Sequence, residues 1–200
     1  GSWNFNEGTG TTARDSSGNN NDGTLTGPKW AAGKFRKGLS FDGVDDYVDV
    51  LDSDSLDLAD SITISAWIKI NSGSTGQRVI LEKTGAYRLM VRHEPFRHLE
   101  AWLWLPEDAG VSTFYDGDPI SFDQWHHVAL TYDRSFARAY LDGVEQWSVA
   151  KTSPLNINIQ KVWIGQGWSF FDGLIDEVKV YSKALSVEEV LSDMNCGHLA

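Results

Sequence analysis

Hydrophobic and polar residues alternate with a period of two over many short segments of the chain. The clearest segment is 62–70, where aliphatic side chains occupy every second position from Ile62 to Ile70. This alternation predicts a β-strand with one face in the core. Similar short hydrophobic segments predict further strands at 39–41, 46–50, 78–82, 87–92, 99–105, 126–132, 137–141, 144–149, 161–164 and 174–181.

Turn sequences separate the predicted strands, and the strongest of them is Asp142-Gly143. Hydrophobic segments flank this pair on both sides, which is typical of a β-hairpin with a two-residue loop. A helix is predicted only near the end of the chain, from Ser186 to Met194, where Ser186 and Glu189 have the spacing of a capping box. Many short strands and one short helix predict an all-β fold, a two-sheet antiparallel jelly-roll sandwich with a short C-terminal helix.

The composition agrees with one globular β-domain. The sequence has 200 residues, 41% of them hydrophobic, with nine Trp and 19 Gly, and it shows no internal repeat or linker. We therefore predict a single domain over residues 3–195. The opening Gly1-Ser2-Trp3 has no signal-peptide pattern and is interpreted as the start of an excised fragment, with residues 1–2 as a cloning tail.

The net charge and the single cysteine exclude several kinds of partner and site. A formal net charge of −11 argues against nucleic acid and anionic membranes as partners, because both bind basic surfaces. No apolar run in the sequence reaches the roughly 18 residues of a membrane-spanning helix. Cys196 is the only cysteine, which excludes an intrachain disulfide and a four-cysteine zinc site.

A series of short motifs follows one another along nearly the whole chain. They are the aromatic segment 3–10, the loop 15–23, the segments 39–48 and 64–68, Trp-His-His-Val-Ala at 125–129, Tyr-Leu-Asp-Gly at 140–143 and Phe-Asp-Gly-Leu-Ile-Asp-Glu-Val at 171–178. In this order they resemble laminin-G-like jelly-roll domains of the concanavalin A-like lectin/glucanase superfamily. The resemblance implies two packed sheets, one of them concave, in a bacterial module of a larger secreted or cell-surface protein that handles polysaccharides. It leaves the activity open, since the superfamily contains lectins, adhesion modules and hydrolases.

Acidic residues are concentrated in one part of the sequence. Eight aspartates lie between Asp42 and Asp60, and no Lys or Arg occurs from 38 to 68. Calcium prefers six to eight oxygen ligands from carboxylates, amides and carbonyls. Members of the resembled family often carry a structural calcium, and the resemblance implies these ligands: Asp15, Asn20, Asp45 or Asp46, and Asp176. The alternative is that these side chains cap turns and solvate loops.

Two tryptophans occupy the face of the predicted strand 99–105 that is opposite its aliphatic residues. Because the aliphatic face belongs in the core, Trp102 and Trp104 are expected outside, as a flat surface that stacks on a sugar ring. If the preceding strand pairs with this one as a hairpin, Arg88 and Arg92 lie beside the indoles, and their guanidinium groups suit an acidic sugar.

The charge count and a glycine-flanked loop support the same interpretation. The segment 78–97 has five basic and two acidic side chains, which predicts a local cationic patch. In the loop 165–171, Trp168 follows a glycine and is expected to contact a ligand at the rim. The alternative is that Trp102 and Trp104 pack under the loop 106–118, with the arginines as lids. Five further tryptophans are interpreted as packing residues: Trp3, Trp30, Trp67, Trp125 and Trp163.

Sequence patterns of catalysis are missing. A retaining glycosidase needs two carboxylates about 5 Å apart, and no predicted strand carries the alternating Glu-x-Asp-x-Glu pattern. Hydrolase-elbow, zinc-protease and phosphate-loop motifs are also missing. We therefore predict a non-catalytic, lectin-like module that stacks aromatic side chains on a polysaccharide or glycan, has a structural calcium and is monomeric as an isolated domain. The alternatives are a protein-binding adhesion module and a polysaccharide lyase or glycoside hydrolase domain.

Overall fold

Two antiparallel β-sheets form the framework of the protein. The computed structural model describes residues 1–92, 95–108 and 112–196, and within them each sheet has eight strands. In spatial order the first sheet contains β14 (Val144–Ala150), β13 (Phe136–Leu141), β12 (His126–Tyr132), β7 (Ile62–Ile70), β16 (Asp172–Tyr181), β5 (Lys37–Asp42) and β4 (Lys29–Ala32), and β1 (Ser2–Trp3) also pairs with β16. The second sheet contains β11 (Ser112–Asp116), β10 (Leu99–Leu103), β9 (Tyr87–Val91), β8 (Arg78–Lys83), β15 (Val162–Ile164), β6 (Tyr47–Val50), β3 (Gly23–Thr26) and β2 (Thr12–Ala13).

Aliphatic side chains of the two sheets form one shared core. Ile64 and Ile68 of β7 and Leu81 and Leu89 of the second sheet are fully buried in it. The predicted jelly-roll sandwich is therefore confirmed, and β7 and β12 have the bounds that the alternation predicts. The pattern does not predict β1 to β4 or β11, because these strands are short or carry few alternating aliphatic residues.

The outer face of β7 is buried, although the sequence predicts a polar, half-buried strand. The helix α1 (Val187–Asn195) covers it, and Asp193 accepts a hydrogen bond of 2.6 Å from the Ser65 hydroxyl. Trp67 donates to the main-chain carbonyl of Met194 at 3.2 Å. The predicted capping box at the start of α1 is confirmed.

Two 3-10 turns complete the helical structure of the described residues, at Asp54–Leu56 and Pro106–Asp108. Among these residues, no helix has the length and apolar character needed to cross a membrane.

Candidate functional site

The register of the second sheet aligns one row of side chains across four strands. Trp163 pairs with Glu82, Glu82 with Arg88, and Arg88 with Trp102. Side chains that are directly paired across strands lie on the same face of a sheet. The neighbouring row, which includes Leu81, is in the core, so this row belongs to the outer face.

Arg88 and Glu82 form a buried ion pair at the centre of this row. The guanidinium donates two hydrogen bonds of 2.7 Å, from Nε to Oε2 and from Nη2 to Oε1 of Glu82. Thr84 donates a third hydrogen bond to the same carboxylate. Arg88 is 4% exposed and Glu82 is 1% exposed. The pair is therefore neutral as a unit and its bidentate face is already occupied.

Three indoles surround the Arg88 guanidinium. Its central carbon lies 4.5 Å from the ring centroid of Trp102, 5.3 Å from that of Trp104 and 5.1 Å from that of Trp168. The Trp102 and Trp168 centroids are 4.8 Å apart, with the rings inclined at 61°. We refer to these three tryptophans as the indole cluster. Trp168 is 56% exposed, while Trp102 and Trp104 are half-buried.

A close backbone approach places Trp168 over Arg88. A Cβ atom on Gly167 would clash with Oε2 of Glu82, so the loop rests directly on the buried carboxylate, and a larger residue would require that carboxylate to shift. The next residue, Trp168, then packs against the Trp102 ring. The sequence-predicted residues Trp102, Trp104, Arg88 and Trp168 are thus brought together.

Arg92, the fifth residue predicted to bind ligand, lies next to the indole cluster. Its guanidinium carbon is 3.7 Å from the ring centroid of Tyr115, and Nη1 is 3.9 Å from Oε2 of Glu100. Glu100 also accepts a hydrogen bond of 2.7 Å from Nε1 of Trp102. Glu100 therefore connects Arg92 to the indole cluster.

Several buried polar atoms around the cluster have no hydrogen-bond partner among the described residues. They are Nη1 of Arg88, Nε of Arg92, Oε2 of Glu100 and Oε1 of Gln166. Buried polar groups are almost always paired with protein, water or ligand. Because these atoms are themselves buried, it is the exposed aromatic surface beside them that a ligand can contact.

Among the described residues of the segment 78–97, three of the five cations are buried and do not contribute to a cationic surface. Arg78 and Lys83 are fully buried, and Lys83 lies 2.5 Å from Asp52 and 2.7 Å from Asp57. Arg88 is paired with Glu82, as described above. The charge count along the sequence failed because Lys83 and Arg88 are paired with acidic groups from other strands and loops, and Arg78 is buried with hydrogen bonds to Ser74. His93 and Glu94, which belong to the same segment, lie outside the described residues.

Sequence reasoning missed three residues of this face. Trp163 was interpreted as packing, yet it is half-buried on the outer face next to Glu82. Its neighbours Val162 and Ile164 are in the core, and their alternation was the signal for an outward indole. The charge count includes Glu82, and no binding prediction involves Glu100, because their role as anchors for Arg88 and Trp102 depends on the register.

A group of three aspartates lies at the end of β5. Ligand oxygens of Asp42, Asp45 and Asp46 lie within 4.8 Å of one another, the one such group of acidic, His or Cys side chains in the described residues. Burial raises the pKa of Asp46, and the Asp42 and Asp45 carboxylates add to this effect. An all-oxygen donor set with repelling charges fits a hard cation such as calcium.

The other predicted calcium ligands lie elsewhere, so the predicted set does not form a single group. Asp15 accepts hydrogen bonds from the backbone N–H groups of Ser2, Ser17 and Asn21. Although burial opposes them, these bonds and the Ser17 hydroxyl lower the pKa of Asp15. Asn20 is exposed with a φ of 59°.

Asp176 is fully buried and accepts hydrogen bonds from the backbone N–H groups of Phe35, at 3.0 Å, and Glu177, at 2.8 Å. Burial raises its pKa to about 7, with a contribution from the Glu177 carboxylate. Asp15 and Asp176 therefore hold loops and a strand bulge through hydrogen bonds from main-chain N–H groups. This is the turn-capping role expected from the sequence as the alternative to calcium binding.

A family model described as the concanavalin A-like lectin/glucanases superfamily matches residues 42–191. The chain belongs to this superfamily. A search of curated protein sequences finds no significant match.

Several solved structures share this fold at low sequence identity. Domain 4 of AbnA, a GH43 extracellular arabinanase from Geobacillus stearothermophilus, in complex with arabinotriose, is 22% identical, with a TM-score of 0.76 and 96% of each chain covered. The binding domain of Paraclostridial Mosquitocidal Protein 1 is 15% identical, with a TM-score of 0.79. The match covers 98% of this chain and 51% of that domain. The botulinum neurotoxin serotype D binding domain is 17% identical, with a TM-score of 0.73. That match covers 99% of this chain and 50% of the toxin domain.

Neighbouring side chains hold the Glu82 and Glu100 carboxylates on the outer face of the second sheet. Both oxygens of Glu82 accept hydrogen bonds from Arg88, and Oε1 of Glu100 is held by Trp102. Glycoside hydrolysis needs one carboxyl group to give a proton and another to attack or activate water. Glu82 is occupied as an ion-pair partner, which disfavours that chemistry on this face.

A second hydrogen-bonded chain has the order of a nucleophile triad. His126 lies 2.7 Å from the Ser121 hydroxyl through Nε2 and 2.7 Å from Asp142 through Nδ1. Asp142 also accepts a hydrogen bond of 2.8 Å from the backbone N–H of His127. Since Asp142 is in the β13–β14 turn with a φ of 51°, we interpret this chain of hydrogen bonds as a tie between that turn and the start of β12.

Proposed function

We propose that this domain binds neutral carbohydrate chains without cleaving them, using the indole cluster as its stacking surface. The observation that carries the proposal is Trp168, 56% exposed, beside the half-buried Trp102 and a buried Arg88. Aromatic side chains that are exposed side by side form the kind of contiguous apolar patch that marks a binding site. The superfamily membership and the arabinotriose complex of the arabinanase domain agree with a sugar ligand.

The charges of the site favour a neutral ligand over the acidic sugar expected from the sequence. Arg88 is matched by Glu82, and Arg92 lies near Glu100, so the four charged groups sum to zero. An acidic sugar would have to displace Glu82 from a buried bidentate pair, which leaves that carboxylate without its partner. A neutral sugar, in contrast, stacks on the indoles and leaves the Arg88–Glu82 pair intact.

We further propose that the domain works as a monomeric part of a larger exported protein and has modest affinity. A shallow site with three aromatic anchors corresponds to dissociation constants of about 1 μM to 1 mM. Calcium remains part of the proposal as a structural ion at the aspartate group 42–46. In that role it would reduce repulsion among the carboxylates and stiffen the loop after β5, away from the stacking surface.

A binding experiment with matched variants tests the proposal. Isothermal titration with neutral and acidic oligosaccharides is performed on the wild type, Trp168→Ala and Phe136→Ala, which truncates an exposed aromatic residue of the other sheet. The proposal expects binding of neutral ligands that Trp168→Ala weakens at least tenfold and Phe136→Ala leaves unchanged. Equal binding by Trp168→Ala would contradict it. Absence of any sugar binding, with retention on a protein partner, would favour the adhesion alternative.

A further inference from the structure

A second aromatic cleft lies beside the indole cluster on the same sheet. It has a volume of about 420 Å³ and is lined by Arg92, Phe96, His98, Tyr115 and Asp116. We propose that this phenol cleft is a second sugar subsite, and that the domain takes a linear neutral oligosaccharide that occupies both places. This inference rests on the proposed function and specifies the length of its ligand.

Strand register sets the separation of the two subsites. Tyr115 of β11 pairs with Glu100 of β10, and Trp102 follows Glu100 by two residues on the same outer face. Diagonal neighbours of this kind are about 7–8 Å apart in a sheet. A chain of linked sugar rings is long enough to contact Trp102 at one end and Tyr115 at the other.

Glu100 lies between the two subsites and contacts a residue of each, Trp102 and Arg92. It is only 2% exposed, and its Oε1 is held by Trp102 while Oε2 has no hydrogen-bond partner among the described residues. Nε of Arg92, on the other side, is also unpartnered. Because both atoms are buried, Glu100 and Arg92 connect the two subsites below the surface, and the ligand contacts the exposed aromatic rings above them.

The phenol cleft has the surface that a stacking subsite needs. Tyr115 is 50% exposed and Phe96 is 48% exposed. The Arg92 guanidinium lies 3.7 Å from the Tyr115 centroid and 5.6 Å from the Phe96 centroid, so it orders both rings. The same elements occur in the indole cluster, where an arginine lies among aromatic rings beside a buried glutamate. Repetition of this arrangement on one face favours repeating units in the ligand.

The test compares ligand lengths on matched variants. Disaccharides to hexasaccharides derived from arabinan, cellulose, xylan and mannan are titrated into the wild type, Tyr115→Ala, Phe96→Ala and the control Phe136→Ala. The wild type is expected to gain about tenfold in affinity between the disaccharide and the tetrasaccharide, which corresponds to one added aromatic anchor. Tyr115→Ala and Phe96→Ala should remove this gain and keep the disaccharide affinity.

Two outcomes overturn the inference in different ways. A gain with length that persists in both variants, or no gain in the wild type, removes the second subsite but leaves the proposed function intact if Trp168→Ala still loses binding. No binding of any of these oligosaccharides overturns the proposed function together with the subsite. Because Tyr115 and Phe96 are half-exposed, their truncation is expected to preserve the fold, which circular dichroism checks.

Discussion

Replacing Glu82 by Gln tests whether the indole cluster is built on a buried ion pair. The substitution keeps the size of the side chain and removes its charge. Both hydrogen bonds from Arg88 are charge-assisted and 2.7 Å long, and the Arg88 guanidinium is 4% exposed. In the variant a buried cation is left without its counter-ion.

The expected loss follows from this geometry. A hydrogen bond to a charged group contributes roughly 1.5–3 kcal/mol, so two of them give about 3–6 kcal/mol. Breaking a buried ion pair by removing one partner costs a similar amount, about 3–5 kcal/mol. For a domain of this size, such a loss lowers the melting temperature by about 10 °C.

Urea denaturation followed by far-UV circular dichroism measures this loss. The matched control is Asp60→Asn, which breaks the Arg134–Asp60 pair at 2.9 Å, whose side chains are 46% and 76% exposed. That exposed pair is expected to contribute no more than about 1 kcal/mol. Adding Arg88→Met to Glu82→Gln removes the uncompensated charge and should recover part of the stability. A loss no larger than that of the control would refute the buried-pair account.

Three other outcomes are expected. Trp102→Ala should lower stability as well as sugar binding, because the indole shields the ion pair, and thermal melting beside titration measures both effects. Although burial opposes the shift, His127 and Lys179 hold the pKa of Asp193 below its ordinary value of 3.8, so its contribution to stability is present above that pH and is lost as pH falls further. Urea titrations from pH 6 to pH 2 should show this fall, and Asp193→Asn should flatten it; parallel curves would contradict the assignment. Calcium should raise the melting temperature and EDTA reverse it if the aspartates at 42–46 bind the ion, whereas no shift would exclude that site.

The sequence predicted those parts of the fold that depend on local patterns. Alternation over nine residues specified β7, the Asp142-Gly143 pair specified the β13–β14 hairpin, and Ser186 with Glu189 specified the start of the helix. The outward orientation of Trp102 also followed from alternation. Each of these features depends on a few neighbouring residues, which is why one sequence suffices to find it.

Features that depend on register and on covering elements were not predictable. A register shift between Val79 and Leu81 determines that Glu82 faces Arg88. No residue pattern in β8 predicts this shift. Trp67 is buried on a face that reads as polar, because α1 packs over it. The aspartate group, likewise, depends on the folded path of the loop after β5 rather than on spacing alone.

The most direct test of carbohydrate binding is a glycan array with neutral and acidic polysaccharides, probed with the wild type and with Trp168→Ala, in calcium and in EDTA. Our account predicts signals on neutral glycans that survive EDTA and disappear in Trp168→Ala. Signals confined to acidic glycans, signals lost with EDTA while the fold persists, or signals unchanged in the variant would contradict a neutral stacking site on the indole cluster.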